Sequence, residues 1–445
     1  MAKRTCIIGG GISGLTLGYL LRKRGADVVL YESSGRVGGA IRTVKQDGFL
    51  LENGPNSLLK SPRLIDLIRS LGIENEVLPA NASAKKRYII SGGKLTALPM
   101  GIADMLFGGF FSFGTKMRLF SEPLRRSAGK EDESVADFFR RRFNEELVNK
   151  AADPFISGIY AGDTERLSMR HAFPRFYDLE KKYGSLLLGL MRDKSEKPDK
   201  DFPRTFSFKN GMQTLIDALE NALDDSIRSN TSVKNIEPQA DGRFVVSTDS
   251  GTEFCDSVVI ATPANAAAKL LENIDQNCAD ELRKIEYPPV AQVYLGYKKN
   301  HFRSDPDGFG FLIPSGEKRK ILGAVWNSVV FAGRSPDGYH LVTAFAGGSR
   351  GSDVFELSDE ELIATVHAEL SDLMDINDDA DLVEIKRWPQ AIPQYNIGYE
   401  KTVAAIEKLE QTIPNLSFCS NFYKGISVGD CVKNAYAVDE HLADS

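Results

Sequence analysis

This 445-residue chain lacks cysteine clusters, an excess of positive charge and long apolar runs. Its five cysteines, Cys6, Cys255, Cys278, Cys419 and Cys431, are scattered, odd in number and free of CxxC spacing. That pattern argues against a disulfide framework or a zinc site and fits reduced thiols in a cytosolic compartment. The five histidines are equally dispersed, and no metal is expected. A formal charge of −6 gives no support for a nucleic-acid partner, which ordinarily needs a basic face. No run of about eighteen uncharged apolar residues occurs, so a membrane-spanning helix is not expected. The first strand is expected from about Thr5, which leaves no room in this sequence for a signal or transit peptide. Nucleophile triads, diagnostic carboxylate pairs, internal repeats and low-complexity tracts are also missing. The expected location is cytoplasmic.

What remains is an ordinary globular composition, 42% apolar and 26% charged, long enough for two or three structural units. Residues 5–32 read as strand, glycine turn, helix, strand: Cys6-Ile7-Ile8, then Leu15, Leu17, Leu20 and Leu21, a stop at Gly25, and Val28–Tyr31. Residues 87–98 read as a hairpin turning at Gly92-Gly93. Residues 100–200 look mainly helical. There Ser134 with Asp137 suggests a capping box, followed by Val135, Phe139, Phe143 and Leu147 at i+4 spacing. The polar 194–204 stretch reads as an exposed connection. Short strands are expected around 231–236, 243–247 and 257–261, more across 288–346, and a capped helix from Ser358 with Glu361. Residues 416–442 return to strand, turn and helix.

Gly9-Gly10-Gly11-Ile12-Ser13-Gly14 satisfies GxGxxG directly after a strand and opening a helix. The first glycine permits the tight turn, the second lets backbone approach a pyrophosphate, and the third allows close helix–strand packing. The helix N-terminus offers unpaired N–H groups and a positive dipole end to phosphates. Glu32, eighteen residues past Gly14, ends the second strand where a ribose hydroxyl would donate to it, with Ser33 beside it. By itself the motif leaves FAD and NAD open. The loop Gly35-Arg36-Val37-Gly38-Gly39-Ala40 selects FAD, because a second diglycine turn approaches the pyrophosphate and Arg36 adds a charge-assisted contact.

The segments ESSGRVGGAIRT, Glu52–Ser57, FISGIYAGDTERLSMRHAFP (155–174), Gly308–Pro314, Ala346-Gly347-Gly348, Arg387-Trp388 with Ile392–Tyr395, and Gly425–Cys431 together resemble the protoporphyrinogen oxidase family. The resemblance spans nearly the whole chain in order. It implies an α/β fold of amine-oxidase-like flavoprotein architecture: a Rossmann-like FAD-binding domain, a sheet-rich substrate domain and an α-helical insert. The expected divisions are 1–84, 205–270 and 385–445 for FAD, 85–99 and 271–384 for substrate, and 100–204 for the insert. The resemblance implies noncovalent FAD, with Gly54, Pro55, Asn56 and Ser57 along the flavin and Val233 at the adenine end. Trp388 and the Ile426-Ser427-Val428 turn are implied near the isoalloxazine. Cys419 and Cys431 lack the context for covalent attachment. The resemblance also places Arg87 opposite a porphyrinogen propionate, with Gly158, Leu312, Val325 and Phe345 lining an apolar slot.

The activity so implied is six-electron dehydrogenation of protoporphyrinogen IX to protoporphyrin IX in haem biosynthesis, with oxygen as acceptor and hydrogen peroxide as by-product. In such chemistry the cofactor performs the redox step and the protein supplies binding and electrostatics, so no side chain need act as an obligatory base. Coproporphyrinogen III is the alternative substrate. An amine oxidase or carotenoid-type desaturase would share the glycine motifs but not the 155–174 block, and a non-enzymatic flavin or tetrapyrrole carrier would show no turnover. The phenylalanine-rich segment 100–124 suits either a bilayer surface or a face packed within the insert. A homodimer is left open.

Overall fold

The computed structural model of the chain describes residues 3–99, 101–125, 129–193, 199 and 201–444. Much of the expected connection at 194–204 lies outside them.

Two sheets carry the architecture. The first is wholly parallel, in the order Ile227–Arg228, Asp27–Tyr31, Arg4–Ile8, Ser257–Ile260, Leu416–Phe418. Its inner strands are continuous apolar runs (Cys6-Ile7-Ile8, Val28–Tyr31, Val258–Ile260), as expected where both faces of a parallel sheet are covered. Helix Ile12–Lys23 crosses from the first strand to the second and packs against helices Gln213–Leu223 and Val428–Asp444. It buries Leu15, Leu17, Leu20 and Leu21, and it ends at Arg24 where Gly25 takes φ +83°. Beside this sheet, Val233–Pro238, Phe244–Thr248 and Gly251–Cys255 form an antiparallel meander. Its third strand escaped the sequence reading because it is a polar, largely exposed edge with no apolar run to mark it.

The second sheet has seven strands: Leu382–Trp388, Val290–Lys298, Tyr339–Gly347, Ile321–Val325, Gly310–Leu312, Tyr88–Ser91 and Lys94–Ala97. The last two are the expected hairpin, with Gly92 and Gly93 both at positive φ. Val293, Leu295, Phe311, Ala324, Val342 and Ala344 face helix Asp359–Met374 and pack on its Leu362, Val366 and Leu370. Ser358 and Glu361 close that helix's N-terminus as a reciprocal capping box. Strand Leu382–Trp388 pairs along its length with Val290–Lys298, so a division at residue 385 falls inside a strand of this sheet.

Short helices fill the insert. The expected continuous helix from Val135 to Leu147 is interrupted: it stops at Arg142, Phe143 leaves the helical region (φ −121°, ψ −98°), and Asn144 caps a new turn by accepting from the Leu147 N–H. Short polar side chains compete for backbone in this way, and an i+4 apolar pattern does not reveal it. At Ser134 the cap is one-sided, the hydroxyl accepting from the Asp137 N–H at 3.0 Å.

Candidate cofactor and substrate site

The glycine turn is built by close backbone contacts. Gly9 (φ +116°) donates to the Tyr31 carbonyl at 2.8 Å, and a Cβ there would press on the Ala261 carbonyl oxygen at 2.7 Å. A Cβ on Gly14 would overlap the Gly9 carbonyl oxygen and sit 3.2 Å from the Ile7 side chain. At Gly11, by contrast, an added Cβ meets nothing within 4 Å. The turn is therefore packed tight beneath and open above, at the start of a helix with no side-chain N-cap and no acidic residue in its first turn. A diphosphate suits such a site, because helix N–H groups and the dipole face the opening. Ile12 and Ser13 open the helix there.

Glu32 tightens the same turn from the side. One carboxylate oxygen accepts from the Gly10 N–H at 2.9 Å, and the other accepts from the Ser34 N–H and hydroxyl, both at 2.8 Å. Ser33 reaches this second oxygen only at 3.5 Å. The meander is fastened alongside, Thr231 N–H donating to the Glu32 carbonyl, which brings the start of the Val233 strand to this end of the site. The second loop docks on the first: Gly38 N–H donates to the Gly10 carbonyl at 2.7 Å, and a Cβ on Gly39 would meet Gly11 Cα at 3.3 Å. Arg36 turns its guanidinium onto its own loop, donating to the carbonyls of Gly39 (2.7 Å), Val37 (3.1 Å) and Ile41 (3.3 Å). It shapes the diglycine turn rather than standing free.

The register of the second sheet aligns the expected substrate residues. Lys386, Gln292, Phe345, Gly323 and Leu312 are successive cross-strand partners, and the next row contains Glu384, Tyr294, Thr343, Val325 and Gly310. Side chains two apart on a strand share a face. Phe345, Leu312 and Val325 therefore lie on one face with Gln292, opposite the face that helix Asp359–Met374 covers. Gly158, in helix Asp153–Tyr160, meets the same face: a Cβ there would lie 2.6 Å from Leu312 Cδ2. Arg87 lies at the edge of this region, its guanidinium 4.4 Å from the Phe309 ring centroid.

Sequence reasoning missed Gln292. Only 2% exposed, it accepts from Trp388 Nε1 at 2.9 Å and from the Gly54 N–H at 3.1 Å, and its amide nitrogen donates to the carbonyls of Gly54 (3.2 Å) and Glu52 (3.4 Å). It thus ties the Gly54–Ser57 segment to Trp388. The signal was a lone amide inside the apolar run Val290–Leu295. Asn56 is fixed to the sheet as well, accepting from Asn327 at 2.7 Å, while Asn327 accepts from Thr343 at 2.7 Å. Gly54 itself takes φ +125°, with the Ala40 carbonyl where a Cβ would be.

At the C-terminal turn, Ser427 Oγ donates to Asp430 at 2.6 Å and accepts from its N–H, opening helix Val428–Asp444. The Tyr395 hydroxyl accepts from the Gly425 N–H at 3.1 Å and donates to the Asn421 carbonyl at 2.6 Å, so the 392–395 segment holds this turn from below. Cys419 and Cys431 are buried beside Ser13, and burial lifts the Cys431 thiol to about 11. Among the described residues, no group of three or more His, Cys, Asp or Glu is placed to hold a metal ion.

Glu52, 2% exposed, precedes Gly54 and accepts from Thr43 Oγ1 at 2.7 Å and from the Met212 N–H at 2.9 Å. Burial outweighs these contacts and raises its pKa to about 7. The folded state therefore holds this proton more tightly than the unfolded chain. The stabilisation is complete below the ordinary carboxylate value and is lost as pH rises toward 7. Glu52→Gln should remove this loss, worth up to about 3 kcal/mol at pH 8, since the amide can donate to Thr43 Oγ1 while still accepting from Met212. Thermal melts at pH 5 and pH 8 check this; an unchanged pH dependence in the variant counts against it.

The profile of the flavin-containing amine oxidoreductase family matches residues 12–438. Mitochondrial protoporphyrinogen oxidase of Nicotiana tabacum is 32% identical, over 97% of this chain and 93% of its own. The chain belongs to this family of flavoproteins, in its protoporphyrinogen oxidase branch. Other members of the branch agree. Coproporphyrinogen III oxidase of Bacillus subtilis is 29% identical over 98% of this chain and 97% of its own. A crystal structure from Exiguobacterium, provisionally named a protoporphyrinogen oxidase, superposes with a TM-score of 0.82 at 25% identity, covering 99% of both chains. As a member of the family the protein is an FAD-dependent oxidoreductase, and the open, uncapped glycine turn fits that cofactor.

Proposed function

We propose that this flavoprotein dehydrogenates protoporphyrinogen IX to protoporphyrin IX, with oxygen as acceptor and hydrogen peroxide as by-product. The observation that carries the reading is the sheet face shared by Leu312, Val325 and Phe345, met by Gly158 and edged by Arg87, in a chain with full-length protoporphyrinogen oxidase relatives. An apolar tetrapyrrole suits such a face, and a guanidinium fork suits its carboxylate. In this reading Gly9–Gly14 and Arg36–Ala40 hold the diphosphate of a noncovalent FAD, Glu32 and Ser33 the ribose, and Val233 the adenine. Gly54–Ser57, Trp388 and Ile426–Val428 border the flavin ring. FAD accepts the electrons; the protein binds and orients the substrate.

Purified porphyrinogens separate the candidates. Protoporphyrinogen IX should be oxidised faster than coproporphyrinogen III, followed by porphyrin fluorescence. The reverse order would favour the second reading, which the Bacillus subtilis relative supports. A yellow protein whose flavin is not bleached by anaerobic porphyrinogen of either kind would exclude both.

The same proposal extends to a peripheral membrane face. No helix among the described residues is long and apolar enough to cross a membrane. Segment 101–124 instead sorts its side chains: Phe111 and Leu119 are buried, whereas Phe107 and Leu124 are each 86% exposed, Phe113 and Phe120 are largely exposed and Met117 is half exposed. Phe113, Met117, Phe120 and Leu124 recur at helical spacing, with Lys116 and Arg118 alongside, which suits an anionic bilayer surface. The protein should sediment with anionic vesicles, and the double substitution Phe113→Ser with Phe120→Ser should cut vesicle binding at least about tenfold without altering flavin content. Failure of the wild type to sediment at either low or high salt would remove the membrane face.

A further inference from the structure

The two walls of the substrate slot belong to different cores. Helix Asp153–Tyr160 carries Gly158, and its Ile156 and Tyr160 pack in an apolar cluster with Phe138, Leu147 and Leu179 of the insert. Leu312 and Phe345 stand on the seven-stranded sheet, whose other face packs on helix Asp359–Met374. Neither core by itself therefore fixes the distance between the walls. That distance is short: a Cβ on Gly158 would lie 2.6 Å from Leu312 Cδ2.

Polar contacts at one end of the sheet join the two bodies. Asp153, 3% exposed, opens the helix, and its Oδ2 accepts from the Ser315 N–H at 2.7 Å, just beyond the strand of Leu312. Its other oxygen pairs with Arg350 Nη1, while Arg350 Nη2 donates to the Gly162 carbonyl at 3.3 Å. Arg350 follows the turn that ends strand Tyr339–Gly347, on which Phe345 stands. One guanidinium thus holds both ends of the helix, Asp153 at its start and Gly162 just past its close. Backbone joins in at the second end. Ala161 stops the helix in the left-handed region, φ +48°, and its carbonyl accepts from the Ser349 N–H at 2.8 Å. Apolar packing does not hold this junction: a cavity of about 300 Å³ is lined by Ser157 and Gly162 from the helix side and by Ser315 and Arg350 from the sheet side. An unfilled gap cannot set a separation, whereas a planar two-pronged donor on a buried carboxylate can.

We propose that Arg350 is a positioning residue that sets the width of the substrate slot, by tying both ends of the Gly158 helix to the strand ends beyond Leu312 and Phe345. This rests on the reading of Gly158, Leu312 and Phe345 as the slot. Arg350 acts through the wall and does not touch the substrate.

The test uses flavin-loaded enzyme, with protoporphyrin IX and its dimethyl ester as probes. Binding is followed by fluorescence quenching, well below the melting temperature of each variant. Arg350→Gln should weaken both probes about tenfold and to the same degree, because a displaced wall acts on the macrocycle and not on its carboxylates. Flavin absorbance should stay as in the wild type. Arg350→Lys, with one ammonium in place of the fork, should fall between. Gly158→Ala alone should also weaken binding, since its methyl group presses on Leu312. In the double variant the released helix makes room for that methyl group. It should therefore bind at least about fivefold better than the product of the two single losses. A merely destabilising substitution gives losses that multiply. Multiplying losses, or wild-type affinity in Arg350→Gln, would overturn the positioning role. A loss confined to the diacid would do the same, by making Arg350 a direct carboxylate contact. Absence of porphyrin binding in the wild type would instead remove the slot reading on which the role rests.

Discussion

Replacing Gly14 by valine is expected to give a colourless protein. A Cβ at this position overlaps the Gly9 carbonyl and crowds Ile7, and both are held by the parallel sheet: Gly9 through its bond to Tyr31, Ile7 through its place between Leu30 and Val259. The helix must therefore move away from the strand, and its N-terminal N–H groups move with it. Overpacking of this kind costs about 1–3 kcal/mol. If the displacement falls on the diphosphate site, flavin affinity drops by about ten- to a hundredfold. Gly11→Ala provides the contrast. Its Cβ meets no protein atom, so the apoprotein should melt as the wild type does, yet the methyl group occupies the opening where a phosphate would approach. Flavin absorbance per protein and apoprotein melting temperature separate the two effects. Normal flavin content in Gly14→Val would refute the role given to that glycine.

The contrast between Gly14 and Gly11 also marks what local sequence conveys. Positive φ and close backbone approach are properties of a few consecutive residues, so the glycine turn, its helix, the Gly92-Gly93 hairpin and the Ser358 capping box could all be read in advance. The substrate face was harder. Leu312, Val325 and Phe345 came from family resemblance, and only the register of three strands put them on one face. Arg36 was expected to add a contact to the pyrophosphate; that its guanidinium also bonds three carbonyls of its own loop is a feature no local pattern announces. Gln292 and Glu52 lie 240 residues apart and meet through a hydrogen bond that no local pattern announces. The break at Phe143 was hidden for the opposite reason: the apolar i+4 spacing persists through a change of helix.

Gln292→Leu should be among the most damaging single substitutions in the sheet, although the two side chains are close in size. The amide serves four partners in a site with almost no water access, accepting from Gly54 N–H and Trp388 Nε1 and donating to the Gly54 and Glu52 carbonyls. Leucine leaves the Gly54 N–H and Trp388 Nε1–H without this acceptor, at about 1–3 kcal/mol for each buried group left unsatisfied, while the Glu52 carbonyl keeps the Tyr294 hydroxyl at 2.8 Å. Trp388 then loses the bond that fixes its ring, and the Gly54 segment loses its tether to the sheet. The expected result is a lower melting temperature together with weakened flavin binding and an altered flavin absorbance envelope. Gln292→Glu distinguishes acceptance from donation. A carboxylate can still accept from Gly54 and Trp388 but cannot donate to the two carbonyls, and burying its charge is costly. That variant should bind flavin best at low pH, where the protonated acid can donate again, and lose it as pH rises. Gln292→Leu with wild-type stability and an unchanged flavin spectrum would show that the four bonds do not hold the site together.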